Sequence, residues 1–183
     1  MSQPESTKII LGNWALRGRG HVVRLLLEHL KIPYEERIYR TPQSWYEDPL
    51  AKSNPSLELP YLLDQDFLIE GSIPIINYVL RNFGHQNFLG ESIEQQAQVD
   101  MHLWAMESLF KKLICLSTRN DLAVDQLKTL KEEVWQRVIC PKAKHVEQGI
   151  DLNNWYLGNL TVVDFDIEEL VGYLRILYPS KID

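Results

Sequence analysis

Cysteine is scarce in this chain. Cys115 and Cys140 are the only two in 183 residues, and they form no CxxC pair. Two isolated thiols predict a reducing compartment and buried, structural side chains rather than a disulfide framework. The five histidines include no HxxxH or HExxH spacing and have no cysteine cluster beside them, so no metal site is expected. The phosphate-cradling GxGxxG and GxxxxGK loops are missing, as is the GxSxG nucleophile elbow. Positive charge is in deficit. Lys and Arg number 19 against 25 Asp and Glu, a net charge of −6, which argues against nucleic acid or an anionic membrane as the main partner. No stretch reaches the ~20 apolar residues of a membrane span. "MSQPEST" has no signal-peptide character and reads as a disordered leader over 1–7, leaving the cytoplasm as the expected location.

What remains is an ordinary globular composition, 45% hydrophobic and 24% charged, sized for one large domain or two small ones. "KIILGN" is a β-rich run ending on turn residues. From Arg19 onward Val22, Val23, Leu26, Leu27 and Leu30 recur at helical spacing until Pro33 stops the helix. "YEERIY" alternates as a second strand, completing a βαβ unit. The proline-rich segment 41–59 reads as an irregular loop with at most a short helix. "PYLLD" and "FLIEG" then form a hairpin around "QD", and Ser72 is expected to cap a helix running to about Phe83, with Ile73, Ile76, Val79 and Leu80 facing the sheet. Residues 8–83 thus form an α/β domain with a mixed sheet, βαβ then ββα. Residues 84–90 are a polar linker, and 91–183 are all helical. Helices are expected at about 91–118 and 125–148, with a third in "TVVDFDIEELVGYLRILY", where Thr161 and Asp164 have capping-box spacing.

Four segments carry a family likeness. "LGNWALRGRGHVVRLLLEHLKIPYEE", "LELPYLLD", "EGSIPIINYVLRNF" and "YLGNLTVVDFDI" occur in the order of matching segments of the cytosolic glutathione transferases, and the chain resembles the mu, pi and sigma group. The resemblance implies a thioredoxin-like first domain that binds glutathione, followed by a helical domain. It implies that Pro60 is cis and presents the backbone of Leu59 to the tripeptide's cysteine. It places Gly71 and Ser72 at the γ-glutamyl carboxylate, and Trp14, Trp45 and Lys52 near the glycine end. Glutathione enters as substrate, with no metal. No cysteine precedes residue 115, so no thiol is available for thioredoxin-type redox chemistry.

The departures from the family bear on catalysis. Asn13 stands where mu, pi and sigma enzymes carry the tyrosine that hydrogen-bonds the glutathione sulfur, and Arg17 lies close enough in sequence to assist a thiolate. Ser108, beside Glu107, falls where mu and pi enzymes have an aspartate, and Gly71 replaces a Gln or Glu, with Glu70 next to it. The chain also stops earlier than its relatives, which implies an uncovered side for a hydrophobic electrophile. Two expectations follow. One is a glutathione transferase of weak activity that joins the thiol to an electrophile. The other is a non-catalytic transferase-fold subunit of a dimer or larger assembly.

Overall fold

The computed structural model describes residues 9–142, 144 and 154–182. The leader over 1–7 and the end of the second long helix lie outside the described residues. The chain divides into two compact units, Met1–His85 and Gln86–Asp183.

The first unit contains a four-stranded sheet in the order β2-β1-β3-β4, built from β1 (Ile9–Trp14), β2 (Tyr34–Tyr39), β3 (Tyr61–Asp64) and β4 (Phe67–Glu70). β1 and β2 are parallel, joined across α1 (Arg19–His29), and the other two pairings are antiparallel. The mixed sheet expected from the sequence is what forms. Val22, Val23, Leu26 and Leu27 of α1 are fully buried, as are Ile75, Ile76, Val79 and Leu80 of α4 (Ser72–Asn82). These two apolar helix faces, together with Ile9, Leu11 and Leu62 from the strands, make the core.

Four local expectations need correction. Segment 41–59 holds two short helices, α2 (Pro42–Tyr46) and α3 (Pro49–Ser53). Thr41 Oγ1 accepts from Ser44 N–H at 3.1 Å, Asp48 Oδ1 accepts from Leu50 N–H at 2.8 Å, and each helix opens on a proline. Caps and N1 prolines start helices where summed propensity shows only a loop. Second, Ser72 does not cap α4. Gly71 holds that position with φ 82°, a conformation that favours glycine, and Ser72 is the first helical residue. Third, Ile75 rather than Ile73 is buried with Ile76, Val79 and Leu80, because residues 72, 75, 76, 79 and 80 share one helical face and Ile73 lies at its edge. Fourth, Cys115 is exposed and Cys140 half-buried, and both thiols are free.

The second unit is mostly helical. A 3₁₀ turn (Gln86–Leu89) leads into α5 (Ile93–Ser117), whose cap Ser92 accepts from Gln95 N–H at 3.1 Å. α6 (Val124–Val134) continues through a π turn (Trp135–Ile139), and α7 covers Val162–Leu177. Met106, Leu109, Phe110 and Leu113 of α5 pack with Ile139, and with Leu170, Leu174 and Tyr178 from α7 and its end. The Thr161–Asp164 spacing acts at the start of α7. The Asp164 carboxylate accepts from Thr161 N–H at 2.9 Å and from Tyr156 N–H at 3.0 Å.

Candidate functional site

The C-terminal end of β1 positions the first group of candidate residues. Strand alternation sends Leu11 and Asn13 to one face of the sheet and Gly12 and Trp14 to the other. On the Trp14 face, Gly12 lies under the Tyr61 ring so closely that a Cβ there would stand 2.2 Å from it. Tyr39, Trp45 and Tyr61 pack on this face, with Trp45 stacked on Tyr61 at 6.1 Å and Trp14 edge-on to Tyr39 at 6.5 Å. Tyr39 O–H donates to Asp48 Oδ2 at 2.9 Å and lies 3.0 Å from Tyr61 Oη. Burial first, then these hydrogen bonds, raise the Tyr39 pKa far above the ordinary tyrosine value. These buried hydroxyls are therefore structural, and Trp45 is one wall of the aromatic cluster.

Asn13 turns the other way, beneath α1, and is 4% exposed. A Cβ on Gly20 would fall 2.0 Å from Asn13 Nδ2, so the amide occupies the space that the glycine leaves open. It therefore sits against the first turn of α1.

The second group forms where α1 and α4 begin. Arg19 is the first residue of α1 and is 8% exposed, and its Nε donates to Ser72 Oγ at 3.0 Å. Ser72, 3% exposed, is the first residue of α4. Gly71 N–H donates to Pro60 C=O at 2.9 Å, which ties this helix start to the cis Leu59–Pro60 peptide just before β3. Glu70 accepts from Glu58 N–H at 2.8 Å and holds the same loop from its other side. A guanidinium, a hydroxyl and the positive end of an 11-residue helix dipole thus converge on one point. That combination suits a carboxylate.

Among the residues predicted from the sequence, the structure links Pro60, Gly71 and Ser72 through this helix start, and Trp14 to Trp45 through Tyr39. Leu59 lies beside Pro60, half-buried. Arg17 is exposed in the β1–α1 turn, and Lys52 is exposed on α3, where its side chain makes no hydrogen bond or ion pair among the described residues. Arg19 was missed by sequence reasoning. A signal for it exists, because a cation at the first position of a helix is opposed by the dipole and so invites a reason for its presence.

In the helical unit, Glu107 pairs with Lys111 at 3.6 Å. Glu107 and Ser108 line an open groove of about 600 Å³ together with Trp104, Lys112, Cys115 and Leu130. Among the described residues no cluster of three metal-ligating side chains occurs.

The first unit's architecture is thioredoxin-like, and residues 10–81 match the family model described as the glutathione S-transferase N-terminal domain. Cattle glutathione S-transferase Mu 1 is 30% identical, over 96% of this chain and 80% of the relative. Glutathione S-transferase 2 of chicken is 28% identical over 94% and 78%. A solved structure of a rat protein, described as hPGDS complexed with a quinoline, superposes with a TM-score of 0.74 at 22% identity, covering 94% of this chain and 82% of that one. The chain belongs to the glutathione S-transferase family.

Proposed function

We propose that the first unit binds glutathione and that the protein conjugates its thiol, weakly, to electrophilic substrates. The observation that carries this reading is the buried Arg19–Ser72 contact at the start of α4. There the γ-glutamyl α-carboxylate meets a hydroxyl, a guanidinium and the first-turn N–H groups, with Gly71 leaving room for the approach. The Leu59 backbone beside Pro60 pairs with the cysteinyl residue as an added strand. Trp14, Trp45 and Lys52 belong to the glycyl end, where Lys52 offers the charge for the second carboxylate. Near neutral pH a thiol of ordinary pKa, about 8.5, is only a few per cent thiolate, so a donor that favours the anion raises the reactive fraction. The thiolate sulfur forms a bond to the electrophilic carbon, the leaving group departs with the bonding pair, and the thiol proton goes to solvent. No metal is needed.

Asn13 is the donor that the sequence offers to the sulfur in place of a phenol, with Arg17 as an accessory cation. The burial of its amide against Gly20 supports low activity. The same observation favours a second reading, a non-catalytic transferase-fold structural subunit of a dimer or a larger assembly. Cytoplasmic location and self-association belong to the proposal and come from the family likeness.

Isothermal calorimetry with glutathione tests the first reading. Binding is expected in the wild type, with Arg19→Ala and Ser72→Ala each weakening it on the order of tenfold or more, as expected for charge-assisted hydrogen bonds. Absence of binding at millimolar glutathione defeats the first reading and leaves only the structural subunit. Turnover of a generic aromatic halide then separates them, together with the gain produced by Asn13→Tyr. Native mass spectrometry reads the assembly.

A further inference from the structure

We infer that Arg24 is a positioning residue for the glutathione pocket: it fixes the turn between β1 and α1 on which Asn13, Trp14 and Arg19 depend. The inference rests on the glutathione-binding reading above. Arg24 lies in the second turn of α1, with its side chain 14% exposed. Its guanidinium contacts three separate places at once. Nη1 donates to Leu16 C=O at 3.1 Å, Nη2 donates to Trp14 C=O at 3.3 Å, and Nε pairs with the Glu36 carboxylate of β2.

The need for such a clamp follows from the sheet. β3 pairs with β1 only from Ile9 to Gly12, so Trp14 lies past the end of that ladder. On its other side, β2 reaches as far as Trp14, and Ala15 N–H donates to Tyr39 C=O at 2.8 Å. Beyond that point Leu16 and Arg17 are exposed, and Gly18 has φ 104°. Arg24 therefore supplies donors to main-chain oxygens where the strand ladder stops. The planar fork matters, because a single ammonium cannot point at two carbonyls and a carboxylate in these directions. Glu36 anchors the fork to β2, so the turn is referenced to the sheet rather than to α1 alone.

With both carbonyls held, the peptide planes of residues 14–16 are fixed. They set the direction of the Trp14 indole on one side and the entry of the chain into Gly18 and Arg19 on the other. Loosening the turn misplaces Arg19 against Ser72 without removing any group that touches the ligand. Misplacement of this kind weakens binding through geometry alone.

The test compares Arg24→Lys and Glu36→Gln with wild type in three measurements: glutathione affinity by calorimetry, melting temperature, and amide hydrogen exchange at Ala15–Arg17. Arg24→Lys keeps the charge opposite Glu36 and loses the fork. It is expected to weaken glutathione on the order of tenfold and to accelerate exchange in the turn, while exchange in the α4 core stays at the wild-type rate. Glu36→Gln should move the same way by a smaller amount. A variant destabilised elsewhere, Val79→Ala, matched to the same melting temperature, should retain affinity. Wild-type affinity in both clamp variants, or equal losses in the clamp variants and Val79→Ala, overturns the positioning role and leaves the glutathione reading standing. Failure of the wild type to bind glutathione overturns that reading and this role with it.

Discussion

Asn13 and Gly20 are one feature divided between a strand end and a helix start. The amide fills the volume that a Cβ on residue 20 would need, and the overlap at 2.0 Å is too close for either to ignore. Gly20→Ala is therefore expected to destabilise the protein by about 1–2 kcal/mol, the usual scale for overpacking. Asn13→Ala in the same chain should recover most of that loss. A urea-unfolding double-mutant cycle measures the coupling, and additive losses would show that the contact carries no energy. The cycle also bears on chemistry, since an amide held under α1 has limited reach toward a bound thiol. The expectation that Asn13 stands where the family carries a tyrosine was available from sequence. The direction of its side chain was not, because that depends on strand register and on which face α1 covers.

At the scale of elements, the signals that worked were periodic ones. The i, i+3, i+4 apolar pattern of α1 translated directly into a buried face, because the helix period fixes which side chains point inward, whereas β2 buries Tyr39 and leaves Ile38 exposed. Local polar signals were less uniform. Thr161 and Asp164 mark the start of α7 as their spacing predicts. The Asp164 carboxylate also accepts Tyr156 N–H, so it joins the preceding turn to the helix. Asp164→Ala should lower stability by about 1–2 kcal/mol, the range for loss of an N-terminal cap, as read by urea denaturation. A loss within a few tenths would mean that water replaces the carboxylate. Ser72 carried a comparable signal and went elsewhere. With Gly71 already at the cap, its hydroxyl accepts from Arg19, a residue 53 positions away. A cap motif and a hydroxyl that pairs with a distant side chain look alike in sequence, and only the neighbouring helix decides between them.

At the scale of the whole molecule, each unit has its own core, and several tyrosines lie partly buried at the edges of these cores. In the first unit, burial and hydrogen bonding to Glu28 push Tyr34 up to about 12, and burial and the 2.8 Å bond to Asp64 do the same for Tyr78. Tyr39 moves in the same direction. A raised folded-state pKa means that the native protein holds these protons when the unfolded chain has released them. The stabilisation is complete below the unfolded value near 10 and is lost as pH rises through about 12. Stability measured from pH 9 to 12 should fall with pH, more shallowly in Tyr34→Phe and Tyr78→Phe. A flat profile across that window would contradict the assigned environments.

The sequence by itself determined the order of the strands and long helices, the division into an α/β part and a helical part, and the family likeness. The first two rest on local periodicity and turn residues and the third on the likeness of four segments in order, all of which survive in one dimension. Tertiary structure decided the site. It paired Arg19 with Ser72, buried the Asn13 amide against Gly20, and set the Arg24 fork on two main-chain carbonyls. The reason is physical. Each of these contacts depends on the direction of a side chain or a carbonyl, and a direction exists only once the sheet register and the helix that crosses it are fixed.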